Sequence, residues 1–173
     1  MTTIKPEEFK ELESKIEGAV GYIDVADEGA DYLAMAVGVI IQDRVYIVDT
    51  LFTRDNTDVT LPLCAAMLDK WEVKYCRVES NAMGAIFART LRSMTKAKIL
   101  TIHNKTNKVT RIIMQSAFIL NRMTFIERAT PEYHQFMENL AAFSKEGKNK
   151  HDDAPDCLSG LAMFIQGMFK HLR

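Results

Sequence analysis

A mixed α/β sheet with helices on both faces is the fold class this sequence predicts, and two observations predict it. Gly18 to Val25, Tyr32 to Ile41 and Arg44 to Phe52 are apolar, β-branched runs, and only Gln42-Asp43 separates the last two, the length of a tight hairpin. After Phe52 the rhythm changes, and short apolar strands alternate with segments whose apolar residues recur at helical spacing. Three leading antiparallel strands followed by strand and helix in alternation give a mixed sheet whose later strands are parallel.

Each element has its own signal. Residues 5–17 are charged and poor in apolar positions, which reads as a linker or an edge helix ahead of one domain spanning 18–173. The first strand ends near Asp24, and the cluster Asp27-Glu28-Gly29-Ala30-Asp31 supplies a turn before the hairpin. Val59 to Trp71 is helical, Tyr75 to Val78 is a strand stopped by Glu79, and Ala82 to Met94 is helical again. Strand Lys98 to Ile102, helix Val109 to Leu120, strand Met123 to Ile126, helix Pro131 to Phe143 and helix Asp153 to Phe169 complete the chain.

At 173 residues, 47% hydrophobic and 26% charged, the chain has the length and composition of one globular domain. No apolar run approaches the roughly 20 residues that span a bilayer, and the start Met1-Thr2-Thr3-Ile4-Lys5 lacks the apolar core of a signal peptide. A soluble intracellular protein with no membrane partner is expected. Cys64, Cys76 and Cys157 are odd in number and widely spaced, which reads as buried filler rather than disulfides or a thiolate zinc site. Of the four histidines only His151 adjoins acids.

The net charge of −1 conceals an asymmetry. Up to Glu79 there are eight basic and sixteen acidic residues, then eight basic and no acidic ones from Ser80 to Ile126. Arg89, Arg92, Lys96, Lys98, Lys105, Lys108, Arg111 and Arg122 make up that middle stretch. Such a block suits a polyanion, where counterion release from nucleic acid supplies binding energy. Solvated helix faces with acidic partners elsewhere in the fold are the alternative.

The acids carry the chemistry. Asp152, Asp153 and Asp156 crowd the mouth of the last helix, while Asp24 and Glu79 stand where strands end. If those two strands are parallel neighbours, both carboxylates emerge at one edge of the sheet and the helix mouth closes over them. Asp153 and Asp156, three apart, share one side of their helix. Gathered carboxylates repel unless cations stabilise them. Hard oxygen ligands without histidine or thiolate select Mg²⁺ or Mn²⁺, and two such ions suit phosphodiester hydrolysis. The competing reading is a capping cluster, with Asp153 as N-cap and Pro155 just inside the helix. There is no G-x-x-x-x-G-K stretch ending in Ser or Thr, no G-x-S-x-G and no G-x-G-x-x-G, so the phosphate loop, the hydrolase elbow and the dinucleotide fingerprint are excluded. Asn81 could touch substrate from its strand end, and Gly84 eases the start of the following helix.

Taken together, Asp24-Val25-Ala26 with Gly29 and Asp31-Tyr32, then Val78-Glu79-Ser80-Asn81 with Gly84, then His151-Asp152-Asp153-Ala154-Pro155-Asp156 resemble the nuclease domain of tailed-phage large terminase subunits. The resemblance spans about residues 18 to 170. It implies a ribonuclease H-like fold and metal-dependent endonuclease cutting of double-stranded DNA during genome packaging, in the cytoplasm of a bacterial host. It makes Asp24, Glu79 and Asp153 the catalytic metal ligands with Asp156 beside them, Asp31 and Asp152 auxiliary acids, and Lys105 and Arg111 DNA contacts. An ATPase motor, a portal protein and a small terminase subunit are the partners it implies, although the phosphate-loop motif of such a motor is not in this chain. A junction resolvase or ribonuclease H on the same scaffold is the nearest alternative, and a DNA-binding or docking module without catalysis is the non-enzymatic one.

Overall fold

The longest apolar run becomes the most deeply buried strand. The computed structural model describes residues 1–26, 32–143 and 152–173. Its strands are β1 (Thr2–Ile4), β2 (Gly18–Asp24), β3 (Leu33–Ile41), β4 (Arg44–Thr53), β5 (Tyr75–Glu79), β6 (Lys98–Ile102) and β7 (Met123–Ile126). The helices are α1 (Pro6–Lys10), α2 (Thr57–Lys70), α3 (Ala82–Arg92), α4 (Lys108–Arg122), α5 (Pro131–Ala141) and α6 (Asp153–Met168). They build a seven-stranded sheet in the order β1-β7-β4-β3-β2-β5-β6, so β3 lies at its centre. All of Leu33–Ile41 is buried. Strands β2, β3 and β4 are antiparallel neighbours, whereas β5, β6 and β7 join in parallel, as the sequence predicts.

Side chains alternate across the pleat and meet helices on both sides. Ile23, Met35, Val37 and Val39 pack on one face with Cys64 and Leu68 of α2 and Phe87 and Leu91 of α3. Tyr22, Ala36, Ile40 and Ile47 pack on the other with Ile119 of α4, Phe136 of α5 and Leu158 and Leu161 of α6. The pairing passes from Gly38↔Ile47 to Val37↔Asp49, so Val48 is an extra residue. That bulge rephases β4 and lets Phe52 join Val45 and Ile47 on the same face.

Two features position the acids. Strands β2 and β5 pair in parallel with Ile23 opposite Val78, which brings their last residues, Asp24 and Glu79, to adjacent strand ends. Helix α6 then crosses β2 at close range, because a Cβ at Gly160 would stand 2.2 Å from Cζ of Tyr22. Only glycine lets the helix approach this far, and its first turn is thereby held over the end of β2.

The segment before Gly18 contains α1 and also β1, which pairs in parallel with β7 through Thr3↔Phe125. That strand is missing from the sequence reading because Thr-Thr-Ile is too short to show a period and its partner lies more than a hundred residues away. Among the described residues, no helix is long and apolar enough to cross a membrane. Asp31 and His151, and Lys145, Lys148 and Lys150, lie outside the described residues.

Candidate metal centre

At the joint C-terminal edge of β2 and β5, one carboxylate oxygen from each of Asp24, Glu79 and Asp156 lies within 4.8 Å of the other two. Asp24 is buried, at 6% exposure, and its Oδ2 has no hydrogen-bond partner among the described residues. Burial first, and then the charge of Asp156, push its pKa well above the ordinary carboxylate value of 3.8. Asp156 is raised as well, chiefly by burial, against the lowering pull of Lys108 and Arg111. An orphaned carboxylate oxygen among other carboxylates makes this a candidate cation site, and an all-oxygen donor set fits a hard divalent ion.

The protein's own cations partly fill that need. Arg111 is buried, and its Nη2 donates to Asp156 Oδ1 at 2.8 Å and stands 3.7 Å from Glu79 Oε1. Lys108, on the first turn of α4, places Nζ 3.1 Å from Asp152, 3.8 Å from Asp153 and 3.6 Å from Asp156. Burial alone would lower the Lys108 pKa, but Asp24, Asp156 and Asp152 together more than reverse this and hold the ammonium protonated. Asn104 fixes Glu79 by donating from Nδ2 to Oε1 at 3.1 Å, and the same group reaches the buried Tyr22 hydroxyl at 3.3 Å. Burial holds that phenol well above its usual pKa and therefore neutral.

Asp153, which the resemblance makes a metal ligand, stands at the wall of the cleft. It lines the cleft of about 190 Å³ together with Asp24, Glu79, Asn81 and Lys108, and its Oδ2 accepts the Tyr32 N–H at 3.3 Å. The third member of the carboxylate cluster is Asp156, nearly one helical turn further along α6. Asp152 sits at the rim and pairs with Lys108. Capping does not explain these acids: α6 begins at Asp153, the Asp152 side chain makes no cap hydrogen bond, and the Ala154 N–H is taken by Asn139 Oδ1 at 3.0 Å.

The basic residues divide into two groups. Lys105 is exposed on the segment between β6 and α4. Arg111, expected as a DNA contact, is buried and turned inward, where the buried Asp156 of α6 and the half-buried Glu79 of β5 hold its guanidinium. Asn81 lines the cleft but is also a structural pin: Oδ1 accepts the Gly84 N–H at 2.6 Å to cap α3, and Nδ2 donates to the Val25 carbonyl at 3.3 Å. A Cβ at Gly84 would lie 1.8 Å from the Glu79 carbonyl oxygen, so glycine lets α3 start hard against the strand end that carries Glu79.

Lys108, Asn104 and Tyr22 are neighbours of the acids that sequence reasoning did not place at the site. One signal pointed to Lys108: Asn107 is an N-cap, which puts a cation at the positive end of a helix dipole, an unfavourable place unless acids wait opposite. The cysteines are buried as expected, with the Cys64 thiol pushed up to about 12 by burial.

Among solved structures, the human cytomegalovirus terminase nuclease domain, Mn-soaked and inhibitor-bound, aligns with TM-score 0.64 and 11% identity over 95% of this chain and 89% of that one. The nuclease domain of the large terminase subunit of bacterial virus Sf6 aligns with TM-score 0.62 and 10% identity over 85% and 88%. The large terminase nuclease domain of bacteriophage SPP1 with bound Mn aligns with TM-score 0.61 and 14% identity over 90% and 89%. These likenesses show that the chain shares the fold of those domains. No curated protein sequence matches significantly. A family model described as Terminase Bacteriophage T7, Ribonuclease H-like domain matches residues 23–125, more than half of the chain and a span that holds Asp24, Glu79, Lys108 and Arg111. The chain belongs to this family of terminase ribonuclease H-like domains.

Proposed function

We propose that this chain is a metal-dependent endonuclease that hydrolyses phosphodiester bonds of double-stranded DNA, as the nuclease domain of a phage DNA-packaging terminase large subunit. The observation that carries the proposal is the cluster of Asp24, Glu79 and Asp156 with its orphaned Asp24 oxygen. These three carboxylates would hold divalent ions, Mg²⁺ or Mn²⁺ and two per site, with Asp153 at the cleft wall and Asp152 and Asp31 as auxiliary acids. Bound ions would supply Lewis-acid polarisation of the phosphodiester and neutralise charge on the departing oxygen.

The chain's own groups do the rest. Asn104 and Arg111 fix the orientation of Glu79, and Arg111 also locks Asp156. Lys108 offers a second positive charge at the mouth, placed to meet a phosphate as well as the acids. Lys105 stands outside the cleft as a backbone contact for the duplex. The partners of this reading are double-stranded DNA, an ATPase motor, a portal protein and a small terminase subunit, in the cytoplasm of a bacterial host.

Supercoiled plasmid incubated with the purified chain in Mn²⁺, in Mg²⁺ and in EDTA tests this directly. Nicked and linear products are expected with either metal and none in EDTA, and Asp24→Asn is expected to be inactive while still folded. Cutting that persists in EDTA, or at full rate in Asp24→Asn, would overturn the assignment.

A further inference from the structure

We propose that Arg54, seated on the ring of Tyr32, is a substrate-binding residue that grips a backbone phosphate of the cut strand on the β4 side of the acid cleft. The inference rests on the nuclease reading above and assigns a residue to it that neither the basic middle stretch nor the acid motifs contain.

Its first support is place. β4 runs in the same direction as β2, and Thr53 pairs with Leu33 while Ala34 pairs with Asp24. Arg54 therefore leaves the sheet at the same edge as the acids, two strand spacings from Asp24, or about 10 Å. Lys105 leaves that edge on the opposite flank, after β6. The two exposed cations thus bracket the carboxylates along one line, as a strand of DNA lying across the cleft would require.

Its second support is how Arg54 is held. The guanidinium carbon lies 4.5 Å from the centroid of the Tyr32 ring, and the opposite face of Tyr32 is stacked on Phe52 at 4.3 Å with only 2° between the planes. Phe52 is buried and packs edge-on against Phe136. Both faces of Tyr32 are occupied, so the ring is no platform for a base. What it provides is a flat seat that fixes an otherwise flexible cation. The Tyr32 N–H in turn donates to Asp153 at the cleft wall, so the seat is tied to the site.

Its third support is charge. Among the described residues, no carboxylate lies within ion-pair distance of Arg54, whereas Arg111, Arg122 and Lys108 each have one. A preorganised, exposed guanidinium without an acidic partner keeps its fork of donors for a phosphate.

The test is binding of a short duplex to the full chain in Ca²⁺, measured by fluorescence anisotropy at several salt concentrations, with plasmid cleavage in Mn²⁺ alongside. Arg54→Gln is expected to bind about tenfold more weakly and to lose roughly one from the slope of log K against log salt, the share of one phosphate contact. Arg54→Lys should recover the slope but not the full affinity, since an ammonium restores the charge without lying flat on Tyr32. The shift in melting temperature caused by Mn²⁺ should be the same in all three proteins. Wild-type affinity and slope in Arg54→Gln would overturn this inference and leave the nuclease reading intact. A wild-type protein that neither binds nor cuts duplex would overturn the nuclease reading itself.

Discussion

Ile23 and Asp24 are consecutive residues of one strand, at 0% and 6% exposure, yet burial acts on them in opposite directions. At the sheet centre, removing apolar side chains from water stabilises the fold by about 25 cal/mol per Å². At the sheet edge, the same removal raises the free energy of every ionised carboxylate, and the raised pKa values of Asp24 and Asp156 register that cost. The interior around β3 therefore supports an edge that would not be stable alone. An acid cluster placed like this is maintained by its surroundings.

The largest effects lie at the edge and concern chemistry. Asp156→Asn and Asp24→Asn should each lower plasmid cleavage at least a thousandfold, about 4 kcal/mol in the barrier, whereas Asp153→Asn should cost less because Asp153 lies outside the tight cluster. Equal losses in gel-based rates for Asp153 and Asp156 would erase that distinction.

Next in size is a matched pair of truncations. Leu68→Ala, in the core, should cost about 3 kcal/mol through its cavity. Arg111→Ala should cost a similar amount, about 3 kcal/mol, by leaving buried acids uncompensated. Urea unfolding at two pH values separates the causes: acidification, by protonating Asp156, should relieve the Arg111 variant and leave the Leu68 variant unchanged. A pH-independent penalty in Arg111→Ala would mean that its stem packing matters more than its charge.

Much of this contrast was legible in the sequence. The apolar strands showed because period and composition report burial directly, and Asp24 and Glu79 stood out because they end such strands. Other features depend on contacts between distant residues. The position of Asp156, within the carboxylate cluster, turns on where α6 starts and how far Gly160 lets it approach Tyr22. Arg111 reads as a surface base because its partners are 32 and 45 residues away in sequence, at Glu79 and Asp156. Strand β1 escapes because three residues carry no period, and Arg54 because its seat, Tyr32, belongs to the neighbouring strand edge.

A smaller effect concerns stability without metal. The folded pKa of Asp24 is raised above its unfolded value, so the native state holds that proton more tightly. Metal-free stability should be greatest at acid pH and fall as pH rises from about 4 toward the folded pKa, where the carboxylate must ionise in place. Asp24→Asn removes this contribution. In EDTA its melting temperature should nearly match wild type at about pH 4 and exceed it by a few degrees at about pH 7.5, and added Mn²⁺ should raise wild type much more than the variant. A wild-type melting temperature that climbs with pH relative to the variant would reverse the sign and refute the strained-acid account.

The smallest effect belongs to charge in the open, the third regime that the comparison needs. Arg122 meets the Asp43 carboxylate at 3.3 Å and donates to its backbone carbonyl at 3.1 Å, pinning the hairpin turn at the end of the sheet far from the acids. The Asp43 side chain is 71% exposed, so water already solvates it and an ion pair replaces little. Arg122→Gln should cost less than about 1 kcal/mol in urea unfolding, and 1 M salt should shrink even that, because screening weakens a surface pair and leaves a buried one such as Arg111 with Asp156 almost untouched. If Arg122→Gln proved as costly as Arg111→Ala, exposure would not be what separates the two kinds of charge. The contrast between sheet edge and surface would then have to rest on hydrogen bonding to the turn.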